Sequence, residues 1–159
     1  MNRTVALTGL TCLLAIAAGI TACGDDDGDE EPGRSGADSV NVYSSLPLQG
    51  AQRLQTLAMV NGIKLALEQK GGKAGDITVK YTSLDDSTAQ AGNWAPEATS
   101  ANARRVAQDD NAIAYIGEFN SGASAISMPL LNEVPIAQIS PANTAVGLTS
   151  DEPGADEGE

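Results

Sequence analysis

Apolar positions along the chain follow two different periods. Residues 77–82 alternate apolar and polar side chains, as a β-strand does, and residues 112–116 form a short apolar run. Residues 54–70 instead carry apolar side chains three and four positions apart, which is typical of an amphipathic helix, and two glycines then provide a stop. The pattern therefore predicts strands that alternate with helices.

The same periods can be applied along the whole body of the chain. They predict four strands, over residues 40–46, 77–84, 112–116 and 135–139. They predict three helices, over residues 54–70, 98–108 and 121–132. Pro129 is expected to bend or shorten the third helix. Alternation with short connections is typical of a doubly wound parallel α/β sheet, in which ligands bind beyond the carboxyl ends of the strands.

Residues 87–97 are predicted to form a long surface loop. This loop carries Trp94, the only tryptophan of the sequence, which either anchors the loop or contacts a ligand. Asp85 and Asp86 precede the loop as a pair of carboxylates. No third acidic residue stands near them and acids readily cap turns, so we interpret the pair as structural and expect no metal site. Residues 71–75 lack the Gly-Lys-Ser/Thr ending of a phosphate loop and are interpreted as a turn.

The charge of the chain is concentrated at its two ends. The formal net charge is −12, but residues 25–38 hold seven acids and residues 151–159 hold five. Residues 39–150 hold nine acids and seven Lys or Arg, and no basic patch that would bind nucleic acid. The sequence has no histidine, which excludes Ser–His and Cys–His catalysis and removes the commonest metal ligand. We expect neither an enzyme nor a cofactor.

The first residues are typical of a bacterial lipoprotein signal. Arg3 precedes an apolar stretch, residues 5–20, that is short for a membrane span but suits a secretory signal. The stretch ends in Ile-Thr-Ala-Cys at residues 20–23, the order of a lipobox, with Cys23 as the lipidated residue. The alternative is an ordinary signal or short anchor with an incidental cysteine. We expect residues 1–22 to be removed.

Processing at that site would leave one thiol in the mature chain. Cys12 lies inside the signal, so no internal disulfide would remain. Residues 23–39 are acidic and glycine-rich, which is typical of a flexible tether. These features predict an extracytoplasmic protein that is attached to the cell membrane by a lipid anchor, with the folded domain spanning residues 40–150.

Five short motifs follow one another along the body of the chain. They are Leu-Pro-Leu-Gln-Gly at residues 46–50, Val-Asn-Gly at 60–62, Leu-Asp-Asp at 84–86, Ile-Gly-Glu-Phe-Asn-Ser-Gly at 116–122 and Ile-Ser-Pro-Ala-Asn-Thr at 139–144. In their order and near spacing they resemble the leucine/isoleucine/valine-binding family of solute-binding proteins. The resemblance implies one lobe of a two-lobed type I periplasmic-binding-protein fold, which delivers amino acids to the permease of an ABC importer.

The resemblance also implies a set of ligand-binding residues. Ser121 and Gly122 would bind the ligand carboxylate, the carbonyl of Ala142 would accept from its ammonium, and Thr144, with the adjacent Asn143, would contact its polar head. A helix that opens at Ser121 favours an anion independently of the family, because its first N–H groups are unpaired. From the residues alone, Ser121 could instead be only an N-cap residue, and residues 140–144 could be only a turn.

One position departs from the family pattern. Where leucine-type binders carry an aromatic residue over the ligand, the alignment places Gln55, so a more polar amino acid, an amide or a urea-like solute becomes plausible. The insertion around Trp94 is a second departure. Residues 151–159 form an acidic loop that we take as a truncation point, before a second lobe. A ligand-binding sensor ectodomain of the same fold is the alternative function.

Overall fold

The computed structural model describes residues 38–151, which form seven strands and three helices. The strands are β1 (Ser39–Leu46), β2 (Lys73–Ala74), β3 (Ile77–Asp85), β4 (Ser87–Thr88), β5 (Asn93–Trp94), β6 (Ala112–Ile116) and β7 (Ala137–Ile139). The helices are α1 (Arg53–Gln69), α2 (Pro96–Ala107) and α3 (Ser121–Leu131), with 3₁₀ turns at Gly50–Gln52 and Val146–Leu148. The signal, the lipobox, most of the tether and nearly all of the acidic terminus lie outside the described residues.

Five strands form one sheet in the order β2-β3-β1-β6-β7. The pairs β1–β3, β1–β6 and β6–β7 are parallel, and only the two-residue β2 runs antiparallel, at one edge. The chain moves from β1 to β3 in one direction and then returns past β1 to β6 and β7. The strand order therefore reverses between β1 and β6, which is the switch point where doubly wound folds bind ligands. The predicted fold class is confirmed.

The core lies on the face of the sheet that α2 and α3 cover. The two helices pack against each other, and α1 lies on the opposite face because βαβ crossovers are right-handed. The buried core residues are Tyr43, Leu84, Ala103, Val106, Ala112, Tyr115, Leu131 and Ile136. Full burial of a side chain such as Leu131 contributes about 1.5–3 kcal/mol. On the other face Ser44 is also buried, and its Oγ lies 2.6 Å from the hydroxyl of Tyr81.

Most element boundaries agree with the sequence pattern, and two differ. The loop predicted over residues 87–97 contains the two-stranded hairpin β4–β5, and α2 begins at Pro96 because proline is favoured in the first turn of a helix. The last strand begins at Ala137 instead of Pro135. Proline has no N–H to donate to a sheet, and a tight turn from Ile136 to Val134 precedes the strand.

Two further features concern the described part of the chain as a whole. Between residues 38 and 151, no helix has the length and apolarity needed to span a membrane. Within the same range, no three metal-ligating side chains cluster as a metal site requires.

Candidate ligand-binding site

A pocket of about 380 Å³ opens at the carboxyl ends of the strands, next to the switch point. Its walls come from the segment after β6, the start of α3, the segment after β7 and the end of the hairpin. The residues that line it are Trp94, Phe119, Asn120, Ser121, Gly122, Ala142 and Thr144. Four of the six ligand-binding residues expected from the sequence thus meet in one cavity.

The first turn of α3 lies at the wall of this pocket. Ser121 is the first helical residue, and Asn120 occupies the N-cap position without a side-chain capping bond. The first backbone hydrogen bond of the helix runs from the N–H of Ser124 to the carbonyl of Asn120. The earlier N–H groups have no partner within the helix, so they and the positive end of the helix dipole favour a carboxylate. Ser121 is therefore not the N-cap residue.

The hydroxyl of Ser121 joins the helix to the segment after β7. Its Oγ accepts hydrogen bonds from the backbone N–H groups of Thr144 and Ala145, each at 3.2 Å. A hydroxyl has two acceptor lone pairs and one proton. Because both lone pairs are used, the proton of Ser121 is left to donate, which is what a bound carboxylate oxygen needs.

The segment after β7 is fixed against the segment after β6. Ser140 Oγ donates to the carbonyl of Glu118 at 2.8 Å and accepts from the N–H groups of Ala142 and Asn143 at 3.2 and 2.9 Å. The side-chain amide of Asn143 donates to the carbonyls of Glu118 and Phe119, both at 3.3 Å. Asn143 therefore does not line the pocket, although the sequence placed it with the ligand-binding residues; it positions the segment that carries Ala142.

Gln55 also lies outside this pocket. It is an exposed residue in the first turn of α1. The nearby buried residue of that helix is Thr56, whose hydroxyl donates to the carbonyl of Pro47 at 2.5 Å. Thr56 therefore fixes the start of α1, whereas the side chain of Gln55 is exposed to solvent.

Asp85 ties the turn after β1 to the hairpin. Its carboxylate accepts from the N–H groups of Leu48 and Ser87, both at 2.9 Å, and from the side-chain amide of Gln49, also at 2.9 Å. Burial alone would raise the pKa of Asp85, but the hydrogen bonds from Ser87, Leu48 and Gln49 outweigh it and hold the pKa below its ordinary value. Asp85 is a structural residue, as its position at the strand end indicates.

Two glycines bring the hairpin close to the turn after β1. Gly50 and Gly92 have φ angles of 73° and 62°, the left-handed region that favours glycine. A Cβ on Gly50 would lie only 1.8 Å from the carbonyl oxygen of Gly92, so no larger residue fits there. This close approach, together with Asp85, holds β5 in place and carries Trp94 to the pocket.

A pair of buried carboxyl groups lies beneath the strand ends. Asp86 and Glu118 are both completely buried, and the hydroxyl of Tyr115 donates to Glu118 Oε1 at 2.5 Å. Burial and the nearby charge of Glu118 raise the pKa of Asp86 to about 9, and burial raises the pKa of Glu118 as well. Within the described residues, neither oxygen of Asp86 has a hydrogen-bond partner, and neither does Oε2 of Glu118. Burial without a compensating donor therefore keeps Asp86 protonated at neutral pH.

Two pocket residues, Phe119 and Asn120, were not expected from the sequence. They immediately precede Ser121 in the same motif, so their position next to a helix start was an available signal. For Trp94 the sequence left a loop anchor and a ligand contact open, and the structure places it at the pocket. The Oδ1 atom of Asn120 is buried and has no hydrogen-bond partner among the residues that the structure describes, so it is an acceptor at the pocket wall.

Two other cavities lie along α3. One of about 600 Å³ lies between α3, β7 and the turn at Val146–Leu148, and one of about 500 Å³ adjoins it through Met128, Gln138 and Leu148. The second also adjoins the candidate pocket, because Thr144 lines both. The smaller pocket is the one that combines unpaired backbone donors with the switch point.

Comparison with known proteins gives a fold-level result. No protein-family model and no curated protein sequence matches the chain. Among solved structures, a leucine-binding protein from Thermotoga maritima is 23% identical with a TM-score of 0.60, over 71% of this chain and 30% of that one.

Two more solved structures give similar values. The branched-chain amino acid transporter substrate-binding protein from Streptococcus pneumoniae, in complex with isoleucine, is 18% identical with a TM-score of 0.60, over 70% of this chain and 31% of that one. An ABC-transporter solute-binding protein from R. palustris, in complex with benzoate, is 25% identical with a TM-score of 0.59, over 72% of this chain and 29% of that one.

These likenesses establish the architecture. The described residues form one α/β lobe of a type I periplasmic-binding-protein fold. The chain spans about 30% of the length of the structures it matches.

Proposed function

We propose that this lobe belongs to a solute-binding protein of an ABC importer and binds the carboxylate of a small solute. The observation that carries the proposal is the hydroxyl of Ser121, whose two lone pairs are used by Thr144 and Ala145. Its remaining proton and the unpaired N–H groups of the first turn of α3 converge at one pocket. All of these groups are hydrogen-bond donors, so the ligand group that they bind must be an acceptor. A carboxylate is the acceptor that a helix N-terminus favours.

The solutes of the structural neighbours support a carboxylate. One neighbour is a leucine-binding protein, one holds isoleucine and one holds benzoate. These molecules differ in their bodies and in the presence of an ammonium group, and a carboxylate is what all three share. The shared carboxylate matches the donors of α3. The parts of the solutes that differ would contact the other walls of the pocket.

The proposal extends to the place and partners of the protein. The lipobox at residues 20–23 supports an extracytoplasmic position on a lipid anchor, and the neighbours' role in ABC transporters supports a permease as partner. The ligand-binding residues we propose are Ser121, Gly122, Ala142 and Thr144, with no catalytic step. One lobe leaves its ligand partly in water, so we expect affinities on the order of millimolar for the chain alone.

The test is a titration of the 159-residue chain with benzoate and with leucine, followed by amide resonances in nuclear magnetic resonance spectra. We expect the Gly122 amide to shift with either carboxylate. Ser121→Ala should weaken binding about 10-fold or more, because it removes a hydrogen bond to a charged group. Ser121→Thr keeps the hydroxyl and should retain most of the affinity, and Ser100→Ala on α2 should have no effect. Equal affinities for wild type and Ser121→Ala would contradict the proposal.

A further inference from the structure

We propose that the indole of Trp94 makes this pocket selective for a carboxylate with a planar aromatic body. The inference rests on the proposed function, because it names the ligand class of the same pocket. The inference goes beyond the proposed function because it assigns specificity to the hairpin β4–β5. The hairpin is separate from α3 and from the segment after β7, which bind the carboxylate.

The aromatic residues of the chain are distributed in an informative way. Aromatic residues make up 3% of the sequence, including one tryptophan and one phenylalanine. Both of these, Trp94 and Phe119, line the candidate pocket. Tyr43 and Tyr115 belong to the core, and Tyr81 contacts Ser44 on the opposite face of the sheet. A flat aromatic surface is thus concentrated where the carboxylate donors converge, and aromatic rings favour stacking with other rings.

Trp94 is not needed as an anchor for its own hairpin. It is only partly buried and is not among the core residues. The hairpin is held instead by the contacts of Ser87 with Asp85 and Gln49, and by the close approach of Gly92 to Gly50. Because those contacts fix the backbone of β5, the indole is held at the pocket wall before a ligand arrives, which lowers the entropy cost of stacking.

The test compares four probes on the full 159-residue chain: benzoate, cyclohexanecarboxylate, leucine and acetate. Cyclohexanecarboxylate has nearly the size of benzoate but no flat ring, and acetate has no body at all. The Gly122 amide reports on the carboxylate site. The indole N–H resonance reports on Trp94 without ambiguity, because the sequence has a single tryptophan.

We expect benzoate to bind more tightly than cyclohexanecarboxylate or leucine and to shift the indole resonance. Trp94→Leu keeps an apolar side chain but removes the flat ring, and it should weaken benzoate about 3- to 10-fold while acetate binding stays unchanged. If that variant does not fold, the comparison of benzoate with cyclohexanecarboxylate on the wild-type chain decides the question.

The outcomes separate the inference from the proposed function. Equal affinities for benzoate and cyclohexanecarboxylate, or a Gly122 shift without an indole shift, would overturn the inference and leave the carboxylate site intact. Tighter binding of leucine than of benzoate would also overturn it. No Gly122 shift with any of the four carboxylates would overturn the proposed function, and the inference with it.

Discussion

Glu118 is the residue through which the pocket and the interior of the lobe are connected. Its backbone carbonyl accepts from Ser140 and Asn143, which fix the segment after β7, and its backbone N–H donates to the hydroxyl of Ser124 in α3. Its side chain meanwhile lies against Asp86 in the interior. A change in the ionisation of this carboxyl pair would therefore act on the backbone that carries the ligand-binding residues.

Asp86→Asn should remove a pH dependence of stability. The pKa of Asp86 is about 9 in the folded chain, and the pKa of an unfolded aspartate is about 3.9. Between these values the folded state keeps a proton that the unfolded state releases. The free energy of unfolding should thus fall as the pH rises, by up to about 1.4 kcal/mol per pH unit. Asparagine stays neutral at every pH in this range, so it removes the titration of this position.

Urea unfolding at about pH 5 and about pH 8 measures this effect. We expect the wild-type chain to lose stability between the two conditions and Asp86→Asn to lose much less. Asp110→Asn, at an exposed position before β6, is the matched control and should behave as the wild type. A wild-type stability that does not fall between the two conditions would show that Asp86 is ionised in the folded chain.

The positions of individual side chains were predictable only in part. Ser121, Gly122, Ala142 and Thr144 were expected at the strand ends, and the structure brings all four to one pocket. Asn143 was not separable from its neighbours by sequence, because its direction depends on two carbonyls more than twenty residues away. A local pattern states which residues follow a strand, but not which of them faces a cavity.

At the scale of elements, the hairpin β4–β5 is the feature that the hydrophobic pattern could not show. Each of its strands has two residues, too few for a period to be recognised. Its stability comes from tertiary contacts, namely the hydrogen bonds of Ser87 and the approach of Gly92 to Gly50. The long helices and strands were predictable, because each repeats its own period over many residues.

Gly50→Ala should cost more stability than Gly75→Ala. Both glycines have positive φ angles, 73° and 62°, so alanine pays about 1–2 kcal/mol of backbone strain at either position. At Gly75 a Cβ would meet open space, whereas at Gly50 it would overlap the carbonyl of Gly92. The backbone must therefore move at Gly50, which adds about 1–3 kcal/mol.

Urea unfolding of the two variants checks the difference, and the emission of Trp94 shows whether the hairpin has moved. We expect Gly50→Ala to shift the emission to longer wavelength, because the displaced indole meets more water, while Gly75→Ala leaves it unchanged. An equal loss of stability in both variants would mean that the close approach to Gly92 contributes nothing beyond the φ angle.

At the scale of the whole molecule, the alternation of periods was sufficient to predict the sheet. The four parallel strands β1, β3, β6 and β7 were expected from that alternation, whereas their order in the sheet was not predicted. The antiparallel β2 was not expected, because two residues after a pair of glycines carry no strand pattern. At the other edge, the Ile139 residue of β7 has 60% of its surface exposed to solvent. The pattern of so short a strand did not indicate this exposure.

The membrane anchoring that we propose depends on Cys23. The sequence contains two cysteines, and only Cys23 stands at the lipobox. We expect Cys23→Ala to abolish labelling of the protein by a fatty-acid probe in the bacterial host and to release it from the membrane fraction. Cys12→Ala, within the signal, is the matched control and should keep both. Unchanged labelling of Cys23→Ala would show that the signal is not a lipoprotein signal.

The way the hairpin is held separates the proposed selectivity of the pocket from its proposed carboxylate donors. The carboxylate donors belong to α3 and to the segment after β7, which Ser121 and Ser140 hold together. The indole of Trp94 arrives on an element whose fastening points, Asp85 and Gly50, touch neither of them. Residues between β4 and β5 can therefore be exchanged, lengthened or replaced without loss of the anion site. A lineage could adopt new solutes by changing this one surface element, and an engineer could do so by grafting it.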